Sequence, residues 1–538
     1  MFEPQCNFGN DAENELLLTS ITASGCEKLW MKSKCFKSNS LYDSLAKHWN
    51  YPKPMSPGNS ISASSFPSLP PASSKRLLPW LVAVALFMES LDTTILNTAV
   101  PAISEALKVG PLSMKSVLAS YTLSLAVFIP VSGWMADRFG TRRVFASAIG
   151  LFVLGSFFCG ISGSIHLLVA CRILQGCGGA MMVPVGRLTL VRTFAKSELI
   201  RAMSFVAIPA LIGPMLGPIA GGLIVRYLHW RFIFFVNVPI GLVGLLMVYL
   251  HLPDYREERT NPLDIVGLIL FGSGVALLSY VLEIFGEHTL STREIVGLLT
   301  ISLLLIAGYG VHATRIAFPL LPLSLFRIRT FRAAVSGSFF TRLGIGGVPF
   351  LLPLLYQVGL GFTPVQSGLL IMPQAIAAMS TKFFLPRILT RVGYRGVLIS
   401  NTVILGLLLL LFATVGLRTP VWVIALQAFC YGAFTSLQYT SMNTLVYADV
   451  TEEQTSNASS IASTMQQMSI SFGVASAGLA TAIFIPDRFR SHPSEMIHGI
   501  HEAFLVLGGF TILSTGIFRT LKGGDGGNVS RQKVLHGG

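Results

Sequence analysis

The chain has 538 residues, of which 52% are apolar and only 12% charged, and its formal net charge is +14. Soluble proteins carry about 25% charged residues; half that share cannot clothe a water-soluble globule of this length, so the composition is that of a membrane protein. The positive charge does not point to nucleic acid, because Lys and Arg fall mostly in short gaps between apolar runs and build no basic face.

Residues 1–75 are polar and end in a Ser/Pro-rich stretch running from Ser56-Pro57-Gly58 to Ser74, which is expected to be a disordered tail. The tail has no apolar core of a signal peptide, so no cleavage by that route is expected. Met55 is an alternative start that would shorten it. From Lys75 onward, apolar runs long enough to cross a bilayer alternate with polar gaps. They cover 77–99, 113–133, 143–162, 165–190, 202–225, 231–251, 263–285, 294–314, 331–357, 365–386, 396–416, 421–446, 456–484 and 498–519. Lipid offers no partner to an open backbone, so these predict about fourteen helices in an all-α membrane fold.

Lys and Arg favour one set of gaps over the other by better than two to one (Arg138/Arg142/Arg143 and Arg387/Arg391/Arg395 belong to the richer set). The bias predicts both termini in the cytoplasm. The gaps 251–262 and 317–332 flank a pair of helices. The expected organisation is a bundle of six helices over 76–252, a two-helix insertion over 253–330, a second bundle of six over 331–523, and a disordered tail over 524–538. An internal echo supports related halves: Gly133–Val144 returns at Pro386–Val397 with Arg, Gly, Arg and Val at the same offsets, the pattern of parallel repeats.

The gap containing Gly133, Asp137, Arg138, Gly140, Arg142 and Arg143 is a candidate gating loop. Gly133 lets helix ends approach, Gly140 permits a tight turn, and Asp137 can accept from a helix N-terminus or a neighbouring Arg. The same residues also read as an ordinary positively charged loop. Asp92 and Arg172 lie at matching depth, roughly 10 Å below the outer surface at 1.5 Å per residue. Ionisable groups at such depth are costly and are functional candidates. Pairing would let a proton compete for Asp92; a static pair joining two helices is the alternative. Glu89, three residues before Asp92, shares its face and either joins the proton handling, meets a cationic substrate, or is a solvated cavity acid. Gln175, Arg342 and Asn97 are candidate cavity residues, whereas Arg187 and Lys382 are expected to snorkel. In the fifth span Gly213, Gly217 and Gly221 recur on one face, and Pro214, Pro218 and Gly222 accompany them, giving a smooth, bent surface suited to close packing. The seven Cys show no disulfide or metal-ligand spacing. No phosphate-binding loop or His-Glu-x-x-His motif is present, so neither cofactor, metal nor enzymatic activity is expected.

Taken in order, Leu91–Pro101, Gly133–Arg143, Arg172–Ala180, Gly213–Gly222 and Trp230–Gly241 resemble the signatures of the major facilitator superfamily, and specifically its fourteen-helix drug:proton antiporters of the EmrB/QacA type. The resemblance covers about Arg76 to Lys522. Within that group, 181–189 and 441–445 suggest a bacterial inner-membrane branch of multidrug transporters. The resemblance implies export of amphipathic small molecules coupled to proton entry, with Asp92 and Arg172 as relay residues. Two departures stand out: the long N-terminal tail, and an acid at Glu89 where an amide is expected. A uniporter, or an importer or exporter of one metabolite or siderophore, fits the same fold. The residues carry no signal for or against a periplasmic adaptor.

Overall fold

The computed structural model describes residues 72–194, 196–257, 260–284, 291–451, 454–484 and 493–527. Met55 and most of both expected tails lie outside them. The described residues contain helices and no strand. We label them α1 (Ala72–Ala106), α2 (Lys115–Phe139), α3 (Thr141–Ile161), α4 (Ile165–Thr193), α5 (Lys196–Tyr227), α6 (Phe232–His251), α7 (Ile265–Ile284) and α8 (Thr292–Ala313). They continue with α9 (Arg329–Gly359), α10 (364–392), α11 (394–412), α12 (Val421–Leu445), α13 (Thr455–Phe484) and α14 (Pro493–Phe518). Residues 72–75, expected in the tail, already belong to α1, and 524–527 form a turn rather than loose chain.

Twelve helices among the described residues are long and apolar enough to cross a membrane. One of them, Pro364–Phe412, is 49 residues long and turns at Gly393 (φ 75°, ψ 160°), which divides it into α10 and α11. The 32-residue α5 lies outside the twelve. The expected fourteen are reached only by counting both arms and α5. Gly140, between α2 and α3, has φ 95°. Gly140 and Gly393 stand at equivalent places in the echoed stretches, each making a corner that a side chain would strain. The echo in the sequence is therefore an echo in the backbone.

In the first set α3 packs on α4 and α6, α2 on α4, and α1 on α5; in the second α9 packs on α13 and α14, and α10 and α11 on α12. The largest contacts that join the sets are α5 against α10 and α2 against α13, and α1 also packs on α9. α7 lies on α2 and α13, with α8 outside it. Large apolar side chains such as Phe383 and Leu513 stay exposed on outer faces, as a lipid-facing surface requires. Asp264 caps α7 by accepting from the Gly267 backbone N–H at 2.7 Å, and it also bonds His312 Nε2 at 2.8 Å and the Leu320 N–H at 3.1 Å. Burial pushes its carboxyl up, but those bonds outweigh it and hold the group below the usual carboxylate range.

One end of the molecule is sealed. Ile95, Leu96, Ile103, Leu112 and Val117 from the first set merge with Val348, Leu351, Leu355, Tyr356 and Leu370 from the second in one apolar cluster. Gln357 Nε2 donates across the seal to the Thr98 carbonyl at 2.9 Å, and Ser471 Oγ to the Ala119 carbonyl at 3.1 Å. Gly222 lies so close to α10 that a Cβ there would stand 2.6 Å from the Pro364 carbonyl oxygen. In helix propensity alone Ala is better than Gly by about 1 kcal/mol, but overpacking costs about 1–3 kcal/mol. Gly222→Ala is therefore expected to lower the melting temperature of the detergent-solubilised protein. Gly150→Ala, with nothing within 4 Å of its added Cβ, is expected to leave it unchanged or raise it.

Candidate functional site: a cavity backed by a buried ion pair

Between the two sets a cavity of about 1490 Å³ opens at the end opposite the seal. Its wall includes Glu89, Thr93 and Asn97 of α1, Tyr121 of α2, Arg172 and Arg187 of α4, Phe350 of α9, Asn443 of α12 and Gln467 of α13. Leu118, Phe350 and Val474 meet the apolar seal. Near the mouth lie Asp137, Glu257, Asn261 and Asp264. Asn97 and Glu89 thus face the cavity as expected, and so does Arg187, which was expected to snorkel.

Asp92 and Arg172 meet behind this wall. Arg172 Nη1 donates to Asp92 Oδ2 at 2.5 Å, and each side chain is 1% exposed. Water cannot reach Asp92, so the protein supplies donors. Gln175 Nε2 and Asn237 Nδ2 give hydrogen bonds to Oδ1 at 2.8 and 2.9 Å, and both amides also donate to Ser156 Oγ, at 2.6 and 3.1 Å. Gln175 Oε1 accepts from Arg172 Nη1 at 2.7 Å. The guanidinium carbon lies 4.2 Å from the centroid of the Tyr121 ring. One carboxylate thereby ties α1 to α4 and α6, with α3 braced through Ser156. Close helix approach makes this reach practicable: a side chain at Gly155 would overlap the backbone of Gln175. Gln175 is therefore not a cavity residue as expected; it is fully buried, because its amide is needed to satisfy both members of the ion pair.

Arg342 also departs from expectation. It is 2% exposed and absent from the cavity wall; its Nε donates to Ser338 Oγ at 3.0 Å and its guanidinium carbon lies 3.5 Å from the Tyr439 ring centroid. A stacked guanidinium is favoured over one left exposed to an apolar wall.

α5 carries the Gly/Pro face. Gly213 faces Ser90, Gly217 faces Thr94, and Gly221 faces Ile95 and Thr98, so three glycines pack along the stretch of α1 that holds Asp92. Pro214 and Pro218 interrupt the backbone ladder of α5. On the other side Gly222 and the Pro218 carbonyl meet Pro364 and Gly368 of α10. The same short motif touches both sets of helices.

The candidate gating loop is fastened within its own set, by the chain leaving α6. The Thr141 N–H donates to the Tyr255 carbonyl, the Tyr255 N–H returns to Thr141 Oγ1, and the Glu257 N–H donates to the Asp137 carbonyl, each at 3.0 Å. The Arg142 N–H bonds Asp254 Oδ1 at 3.1 Å, and Trp134 Nε1 bonds the Asn261 carbonyl at 2.8 Å. Arg192 of α4 bridges Asp137 at 2.7 Å and Glu257 at 2.9 Å. Asp137 thus does pair with an Arg of a neighbouring helix. Arg142 also lies over the Tyr249 ring, at 5.0 Å, while Arg138, Arg143 and Gly133 are exposed.

The comparisons with known proteins agree with this architecture. A family model described as Major Facilitator Superfamily matches residues 82–474. The chain belongs to that superfamily. A protein of Serratia proteamaculans (strain 568) described as "Putative multidrug resistance protein MdtD" is 42% identical over 426 residues, covering 79% of this chain and 88% of the relative. The protein of the same name from Shigella sonnei (strain Ss046) is 41% identical over 411 residues, or 76% and 87%. The branch that 181–189 and 441–445 suggest is the one these relatives occupy. Among solved structures, the POT family transporter PepTSo aligns with TM-score 0.62 at 14% identity, over 86% of this chain and 99% of its own. A D-xylose-proton symporter aligns with TM-score 0.59 at 15% identity, over 83% and 98%. At such identities the likeness is one of fold. Family and fold are those of a multi-pass membrane transporter.

Sequence reasoning found Asp92 and Arg172 by depth but gave no role to Asn237, Ser156, Tyr121, Arg192 or Glu257. Asn237 had a signal, an amide inside an otherwise apolar helix. Ser156 had none. Asn237→Leu deletes one donor to a buried carboxylate, at a cost of about 1–3 kcal/mol, and is expected to lower the melting temperature by several degrees. Gly140→Ala combines a left-handed φ with overlap against the Asp254 carboxylate. It is expected to destabilise further and to raise proteolytic cleavage near 250–260, measured by limited proteolysis in detergent.

Proposed function

We propose that this chain is a secondary exporter of amphipathic small molecules, driven by protons entering in exchange, in a bacterial inner membrane with both termini cytoplasmic. One observation carries the reading: a buried carboxylate, balanced by a single arginine, stands directly behind the wall of a cavity open at one end. The names of the MdtD relatives support efflux. The cation-rich gaps support a cytoplasmic location for the open end, since Arg138, Arg142 and Arg143 lie there.

Arg172 reaches the cavity and Asp92 does not, so a proton arriving from the cavity meets Glu89 and the edge of the pair before Asp92. A proton on Asp92 cancels the charge that Arg172 balances and reverses the demand of the Oδ1 atom for two amide donors. α1 then loses its hold on α4 and α6. Its other side rests on the glycines of α5, a surface without side chains to interlock, and α5 in turn bears on α10. Release on one side and low resistance on the other allow α1 to shift relative to its neighbours and the α5–α10 contact to open. Loss of the proton restores the pair. The cavity wall mixes Thr93, Asn97 and Gln467 with Leu86, Ile129 and Phe350, a lining suited to molecules with a polar end and an apolar body.

The test is an imposed pH gradient across proteoliposomes loaded with an amphipathic dye. Asp92→Asn keeps the shape and removes the titrating acid; it is expected to reduce gradient-driven dye movement by at least about 100-fold, within the range that a single proton-transfer group contributes. Its helical circular dichroism and elution volume should match the unaltered chain. Normal gradient dependence in this variant would remove Asp92 from the coupling.

A further inference from the structure

The echo sets a register between the halves. Gly133–Val144 returns at Pro386–Val397, a shift of 253 residues (386 − 133). The same shift carries Gly140 onto Gly393 and the apolar part of α1, Leu77–Ala106, onto 330–359 of α9. In this register the partner of Glu89 is Arg342 (89 + 253). An acid and a base occupy the same position in the two repeats, Glu89 in the cavity wall and Arg342 buried behind it.

Each keeps one side-chain atom without a hydrogen bond, although Arg187 acts electrostatically on Glu89 and Tyr439 stacks on Arg342. Glu89 lines the cavity and its Oε2 is buried with no hydrogen bond. Arg342 Nη2 is buried with no hydrogen bond either. The contrast with Arg172 is direct: that guanidinium, equally buried, has Asp92 at 2.5 Å, whereas no ion pair among the described residues involves Arg342. An arginine held at membrane depth without a counter-charge is expensive and is by default a candidate functional group. Arg342 lies directly under the wall: Gly346, one turn further along α9, and Asn443, one turn beyond Tyr439 on α12, both line the cavity.

We propose that Glu89 and Arg342 are the two poles of the substrate site, and that its ligands are zwitterionic amphiphiles. A compact anionic group such as a carboxylate is received by the Arg342 fork as it turns off the Tyr439 ring between Gly346 and Asn443. An ammonium group is received by Glu89. The apolar body lies against Phe350 and Ile470. A bidentate anion supplies what the planar guanidinium lacks at Nη2. The proposal rests on the transporter reading for its cavity and not on proton coupling.

The experiment is equilibrium binding to the purified full-length chain in nanodiscs with no gradient, read by dansyl fluorescence. Three probes share one fluorophore and an alkyl chain: Nε-dansyl-lysine (zwitterion), dansylcadaverine (cation) and dansyl-aminohexanoate (anion). The unaltered chain is expected to bind the zwitterion at least tenfold more tightly than either of the others. Arg342→Gln should weaken zwitterion and anion at least tenfold and leave the cation unchanged; Glu89→Gln should weaken zwitterion and cation and spare the anion. Should Arg342→Gln fail to give a monodisperse, helical protein, Arg342→Lys replaces it, with the same order of probes and a weaker zwitterion. Equal affinity of the unaltered chain for all three probes, saturable binding of none, or an Arg342 variant that weakens all three alike overturns the proposal. Because no gradient is applied, a failure of the Asp92 test leaves this result unaffected, and the reverse also holds.

Discussion

A carboxylate out of reach of water must be answered by the protein, and the first six helices are arranged around that requirement. Asp92 receives a guanidinium and an amide from α4 and a second amide from α6, and those amides are held in turn by a hydroxyl on α3. Each of these bonds fixes a distance between helices, so the packing of the set follows from the needs of two carboxylate oxygens. On the α5 side of the same stretch of α1, Gly213, Gly217 and Gly221 let the two helices approach closely. α1 is thus gripped by a charged, hydrogen-bonded network on one face and by a glycine-lined helix on the other.

The two ends of the molecule differ in the same spirit. The sealed end is held by apolar side chains from both sets and by few polar bonds, a contact that is uniform and tolerant of sliding. At the open end the directional bonds and charges, among them the Arg192 bridge and the backbone exchange at Thr141 and Tyr255, lie within the first set and the strap that follows it. The fold places one kind at each end of the cavity.

The helical class, the internal repeat and the ion pair were legible in the sequence because each leaves a mark that needs no neighbour: run length, recurring offsets, and charge at depth. The glycines of α5 were legible as a face, though not which helices the face meets. What escaped depends on direction about a helix axis. Gln175 and Asn97 are both polar residues in apolar helices, yet one turns inward to the pair and the other to the cavity. Hydropathy cannot separate them. Arg342 was read as cavity-facing because the sequence does not show Tyr439 coming under it from α12. The fastening of the candidate gating loop by Asp254, Tyr255 and Glu257 was invisible for a different reason: it joins segments more than a hundred residues apart largely through backbone groups, which every residue possesses.

That fastening ties the helix pair α7 and α8 to the first set. The strap from Asp254 to Asn261 is the leading end of the pair, and the Trp134 and Arg142 contacts moor it before α7 begins. A shortened relative built by splicing α6 to α9 would lose more than two membrane crossings: its loop at Gly140 would be left undocked, with Arg192 bridging one acid where it now bridges two. The added piece is thus part of what holds the Gly140 turn in place.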